Sequence, residues 1–302
     1  MSSQLLIVTD GLISYEEGYI THPLLDPWHK QLLRCSRSWF DCIIKTDIEW
    51  QASLLEEPPT ALLAAAFSDR LTESAQQLWI ASPYHAQLGR DRIRVMPDSI
   101  FPWREEDAIW ICDLLNPLLK EEGIELLHHK SALLLTCNTP MNTTPDSFAM
   151  VAGKLLPNRH PDGVDGGRLM RLMAEIQMVL SLKPAEHRRL SGEPDVHGLW
   201  LWGGHAVSDE TAKNKTLSVA TRNPLLMSIV DGKDASVIIS SAEQLGELTQ
   251  VNMPLPKQVV LAGDSEAVVL KSSLIPRIGR AQWRSKSAGS EERLMNMLRS
   301  LL

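Results

Sequence analysis

Short apolar runs separated by amphipathic helical stretches predict an α/β protein. The expected architecture is a mostly parallel or mixed sheet flanked by helices, with an inserted β-β-α-β-β subdomain. Three observations carry this expectation. Leu5-Leu-Ile-Val8 is a continuous apolar run without alternation, which suits a strand covered on both faces. Residues 235–239 (ASVII) and 258–262 (QVVLA) are later strand candidates, with a short helical stretch at 241–248 between them. Residues 75–136 break that rhythm with paired strand signals around one long helix.

Taken in order, the first strand closes at Thr9-Asp10-Gly11, which puts Asp10 at a strand's carboxyl end. Ligand groups of parallel sheets gather at that end, and aspartate is also common in turns. Residues 23–66 read as helix and loop: 29–40 as one helix, then a stop at Pro58-Pro59, then an Ala-rich helix over 60–67 capped by Thr60. Residues 77–82 form a strand ended by Pro83, and 91–96 (DRIRVM) alternate polar and apolar as a half-exposed antiparallel strand does, with a turn at 89–91. A helical stripe runs through Ala108, Ile111, Cys112, Leu115 and Leu119. Its first turn is acidic (Glu105, Glu106, Asp107), Pro117 should kink it and Gly123 should end it. Strands follow over 124–129 and 131–136.

The stretch from 166 to 205 holds the most information. Leu169, Leu172, Met173, Ile176, Val179 and Leu180 make the stripe of a helix buried on one side, with Asp165 placed as its N-cap. Pro184 breaks it, residues 185–190 have room for one or two turns, and Gly192 stops those. Residues 198–202 (GLWLW) read as a strand, and Gly203-Gly204 as a sharp turn or close approach. Beyond it lie a helix at 223–230 with Pro224 at its first position, a last strand at 268–270, a basic Ser/Gly-rich segment at 271–290 and an amphipathic helix at 291–302. The polar loops 137–148 and 157–167 mark the candidate boundaries. They divide the chain into an α/β core (1–74 and 149–302), an inserted α+β subdomain (75–136) and a linker (137–148).

Composition excludes several function classes. The 302 residues are 44% hydrophobic and 22% charged, as in ordinary globular proteins. A net charge of −7 argues against nucleic-acid binding driven by phosphate neutralisation. No apolar run is long enough for a bilayer, so no membrane association is expected. Four cysteines (Cys35, Cys42, Cys112, Cys137) without C-x-x-C spacing, and a start without a basic n-region, point to a cytoplasmic protein with reduced thiols. Nucleotide loops (G-x-x-x-x-G-K-[ST], G-x-G-x-x-G) and the hydrolase elbow G-x-S-x-G do not occur. An anion site is a candidate where a helix starts at Gly166-Gly167: backbone N–H groups are free there, Arg168 and Arg171 lie in its first turns, and Arg188 and His205 add positive charge or donors.

Residues 78–85 (LWIASPYH), 171–178 (RLMAEIQM), then Pro184, Arg188, Gly192 and Pro194, and residues 199–203 (LWLWG) carry a family resemblance. The chain resembles the bacterial RpfE-type regulatory proteins, often labelled cofactor-independent phosphoglycerate mutase, over most of its length. The three segments are similar to that family's D-P-x-H-like, L-x-N-E-x-Q-M and S-L-W-x-W-G runs. Ala174, Lys183, Glu186 and His197-Gly198 stand where the family pattern has Asn, His, Asn and Asn-Ser. The resemblance implies an alkaline-phosphatase-like scaffold, whose active members hold two metals with Asp and His and carry the phosphoryl group on a serine. Asp10 matches the position of that group's first ligand. No D-H-G segment follows a late strand and no N-S-E-x-G-H-like loop occurs, and the nearest candidates are His205 and Asp264. The expectation is therefore a catalytically degenerate regulatory protein that binds a small phosphorylated ligand, a protein partner or its own copy. The alternative is a metal-dependent phosphoryl-transfer enzyme using Mn or Zn on Asp10, His205 and Asp264.

Overall fold

A computed structural model of the chain describes residues 5–15, 18–89, 92–96, 101–207, 219–220, 237–249, 256–272 and 288–301. The described strands are β1 (Leu5–Val8), β2 (Leu12–Tyr15), β3 (Gly18–Thr21), β4 (Ser36–Asp41), β5 (Gln77–Tyr84), β6 (Ala86–Leu88), β7 (Ile93–Val95), β8 (Ile124–His129), β9 (Ala132–Cys137), β10 (Gly198–Ala206), β11 (Val219–Ala220), β12 (Val237–Ser240), β13 (Gln258–Ala262) and β14 (Glu266–Lys271). The helices are α1 (His29–Arg34), α2 (Asp47–Leu55), α3 (Pro59–Ala64), α4 (Glu105–Leu119), α5 (Phe148–Val151), α6 (Gly166–Leu182), α7 (Glu186–Ser191), α8 (Ala242–Thr249) and α9 (Glu291–Arg299). They fall into two units, residues 1–57 with 215–302 and residues 58–214.

The first unit is built on a six-stranded mixed sheet in the order β11-β12-β1-β13-β14-β4. β1 lies between β12 and β13 and is parallel to both, whereas β14 pairs antiparallel with β13 and with β4. All four residues of β1 are fully buried, because each face of the sheet carries its own apolar cluster. Leu5 and Ile7 pack with Trp50, Leu54, Leu294 and Leu298 on one face; Leu6 and Val8 pack with Leu25, Trp28, Leu32 and Leu245 on the other. This is why the run shows no alternation. α2 opens with a complete capping box, in which Thr46 Oγ1 accepts from Glu49 N–H and Glu49 Oε2 accepts from Thr46 N–H.

The second unit holds an antiparallel sheet in the order β10-β5-β9-β8 and a separate β6–β7 hairpin. α6 packs on β10, and its buried apolar side chains, Leu169, Leu172, Met173, Ile176 and Leu180, all belong to the stripe read from the sequence. Gly203 takes φ +67, and a side chain on Gly204 would meet the Trp79 ring at 2.5 Å, so the glycine pair forms a bulge in β10.

The α/β expectation with a mixed sheet therefore holds, and several elements differ. The 29–40 stretch is a short helix followed by β4, since Trp39 and Phe40 gain more from pairing with β14 at the sheet than from continuing a helix. Thr60 lies inside α3 and its hydroxyl donates to Gly203 O, so it does not cap. β5 runs through Pro83, opposite Leu199. Pro117 sits within α4, which ends through a 3-10 turn at Gly123 with φ +70. β10 joins the sheet of β5, β9 and β8. The helix read at 223–230, most of the basic 271–290 segment and part of the 89–91 turn lie outside the described residues.

Candidate functional site

In the first unit, β1 and β13 are parallel neighbours, and Asp10 and Asp264 each stand two residues past the end of their strand. Both are exposed at the carboxyl edge of the sheet. Asp10 already has structural work: its Oδ1 accepts the Ala242 N–H at 2.6 Å, which caps α8. Tyr19, from the β2–β3 hairpin, reaches the same edge and bonds Ser265 through its hydroxyl at 3.0 Å. Among the described residues no group of three or more His, Cys, Asp or Glu side chains lies together as a metal centre requires. Two carboxylates, one of them committed to a helix cap, are an incomplete donor set for a pair of divalent ions. His205, the third expected ligand, belongs to the second unit, where it lies on β10 opposite Leu78.

The expected anion group does not assemble as read. Arg168 and Arg171 are exposed on the first turns of α6. Asp165 precedes them, but its carboxylate accepts the Asn142 N–H at 2.7 Å instead of capping the helix. Arg188 is a correction: it is 0% exposed and unavailable to a ligand from solvent. Its Nε donates to Pro194 O at 2.8 Å and its Nη1 to Pro102 O at 2.9 Å. The same Nη1 lies 2.9 Å from Asp107 Oδ2, and the guanidinium stacks 4.7 Å from the Phe101 ring centroid. Asp107 also accepts from His187 Nε2 at 2.8 Å and from Arg104 N–H at 2.9 Å. Burial alone would raise the Asp107 pKa, but these three donors together hold it below its ordinary value of 3.8. The basic run at 187–189 thus divides into an interior clamp, His187 and Arg188, and the more exposed Arg189.

What the second unit does offer is a cleft formed by the two polar loops. Thr144 N–H donates to Asp162 O at 2.8 Å, Thr143 Oγ1 donates to the same oxygen at 2.8 Å, and Asp165 N–H donates to Asn142 O at 3.2 Å. Glycine makes this close approach feasible. A Cβ at Gly163, whose φ is +111, would stand 2.3 Å from Asn142 O. The stitched loops form a small solvent-open cleft lined by Thr144, Asp146, Arg159, His160, Asp162 and Trp200 together with two prolines. Trp200 is 3% exposed and its indole N–H donates to Asp146 O at 2.8 Å, which fixes one wall to β10. Arg159 and His160 supply cationic or donor groups, Thr144 a hydroxyl, and the two aspartates acceptors. Sequence reasoning marked both loops as candidate boundaries and did not select Arg159, Asp162 or Trp200. The signal was the density of Asp, Asn, Gly and Pro in the two loops, and only the fold brings them together.

No family model matches the chain, and no curated protein matches it. Among solved structures, the cofactor-independent phosphoglycerate mutase from Thermoplasma acidophilum is 12% identical, with 99% of this chain and 100% of that one covered and a TM-score of 0.38. The PH0037 protein from Pyrococcus horikoshii is 11% identical, with 100% and 98% covered and a TM-score of 0.45. Likeness at this level carries no site residue across.

Proposed function

We propose that this is a ligand-binding regulatory protein that holds a small hydroxylated phosphate ester in the 144–162 loop cleft without turning it over. One observation carries the reading: Arg159 and His160 share a cleft with Asp146, Asp162 and Thr144, against the fixed Trp200 wall. A guanidinium and an imidazole suit a phosphate, whereas two carboxylates suit hydroxyl donors and would repel a bare anion. The cleft is open and its charged groups are exposed, so affinity should be modest, on the order of millimolar. The sequence resemblance to RpfE-type proteins supports the regulatory role, and the helix-capping use of Asp10 supports binding over turnover. Calorimetric titration with glycerol phosphate tests it: binding weakened about tenfold by Arg159→Ala is expected, and equal affinity in the variant overturns the cleft assignment.

A second reading, metal-dependent phosphoryl transfer with Mn or Zn, is favoured by one feature only. Asp10 and Asp264 follow adjacent parallel strands, where such sheets place ligand groups. Metal analysis of the purified protein separates the two readings. Stoichiometric Mn or Zn that is lost in Asp10→Ala, together with phosphomonoester hydrolysis, would establish the second.

A further inference from the structure

His85 and His197 face each other with ring centroids 4.6 Å apart, at the point where β5 passes into the β6–β7 hairpin and β10 begins. Their Nδ1 atoms are committed in opposite senses. His85 Nδ1 lies 2.8 Å from the Asp195 carbonyl oxygen, so it must donate, and this bond survives whether the ring is neutral or charged. His197 Nδ1 accepts the Ala86 N–H at 3.1 Å, which only a neutral ring protonated on Nε2 can do. Protonating His197 turns that contact into two opposed N–H groups beside a second imidazole.

We propose that His85 and His197 form an acid-release latch, in which neutral His197 pins Ala86, the first residue of the β6–β7 hairpin, and protonated His197 lets it go. The hairpin is also tied by Met96 N–H to His85 O at 2.9 Å, by the Ala86–Val95 pairing, and on its β7 side by Val95 N–H to Lys154 O at 2.9 Å and Leu156 N–H to Ile93 O at 2.8 Å. Release therefore frees the Ala86 amide from His197, while His85 stays tied to Asp195 O and β5 and β10 stay paired. Burial first, then the charge of His85, depress the His197 pKa, opposed by Asp195.

The groups that face the pair bear on its sign. From the segment before β10 come Asp195, and Glu193 paired with Arg104. From α7 come Arg188, held by Asp107, and Arg189, 3.7 Å from Asp195. From β5 comes Tyr84, whose hydroxyl burial pushes up to about 12 and keeps neutral. Phe101 stacks on the His85 ring, and Arg94 stands opposite Gln87 on β7. Only Asp195 favours a charged His197 directly, and its carboxylate is shared with Arg189. Because the closed state binds the His197 proton more weakly than the open one, the latch is intact above the ordinary histidine range, about 6.5, and is lost as pH falls below it.

Hydrogen exchange on the full chain tests the latch. Between about pH 8 and about pH 5, after correction for intrinsic exchange, peptides containing Ala86 should open about tenfold more for each pH unit of proton linkage. His197→Asn keeps an acceptor near the Nδ1 position and cannot titrate, so it should abolish this rise. A rise of equal size in the variant, or none in the parent protein, overturns the proposal. If the variant fails to fold, amide and ring NMR on the parent protein decides. The Ala86 amide should shift with the same midpoint as the His197 ring, and an Ala86 amide that stays still while His197 titrates overturns the latch.

Discussion

Asp107 and Arg188 form an ion pair at 2.9 Å with 1% and 0% of their side chains exposed. The pair joins the first turn of α4 to α7, and Arg188 Nη1 also reaches back to Pro102 O. Removing one partner leaves an uncompensated charge in the interior. Asp107→Ala should therefore cost about 3–5 kcal/mol in urea unfolding, whereas the double change Asp107→Leu with Arg188→Met should recover much of that loss. A loss below about 1 kcal/mol for the single variant would mean that the pair is solvated.

Much of this architecture was legible and some was not, for identifiable reasons. The buried run at β1, the stripe of α6 and the Gly192 and Gly123 stops follow from period and backbone chemistry, which are local. β4 was hidden because its residues pair with β14, more than two hundred positions away. The acidic first turn of α4 looked like a helix-dipole device, and nothing local marks Asp107 as the partner of His187 and Arg188. The two-loop cleft depends on Thr144 meeting Asp162, which no spacing rule predicts.

Acid should undo the same clamp. The Asp107 pKa is lowered below 3.8, so its ionised form is favoured by folding. Its contribution is present above that ordinary value and disappears as pH falls through the lower folded one. The difference in unfolding free energy between the parent protein and Asp107→Asn should stay level from about pH 7 to pH 5 and shrink towards about pH 3. A difference that grows on acidification would contradict the assignment.

Gly163 should tolerate no side chain. Its φ of +111 opposes Gly163→Ala, and so does Asn142 O, which lies 2.3 Å from where the new methyl group would stand. The strain should cost about 1–3 kcal/mol and loosen the Thr144–Asp162 stitch, so ligand affinity and thermal midpoint should fall together. A variant as stable as the parent would place the loop elsewhere.

The four thiols should be inert in the folded protein. All are buried, and burial pushes Cys42 and Cys112 up to about 12 and Cys137 up to about 11. A thiol reagent at neutral pH should label none of them until denaturant is added, because the thiolate is the reactive form. Rapid labelling of any one under native conditions would contradict the burial described.

Phosphorus NMR of glycerol phosphate with the purified protein separates binding from turnover. A phosphate resonance that broadens or shifts and returns on dilution is expected, with no inorganic phosphate over the course of the measurement and loss of the broadening in Arg159→Ala. Steady appearance of inorganic phosphate or of an isomeric ester, or broadening unchanged in Arg159→Ala, would contradict binding in the cleft without turnover.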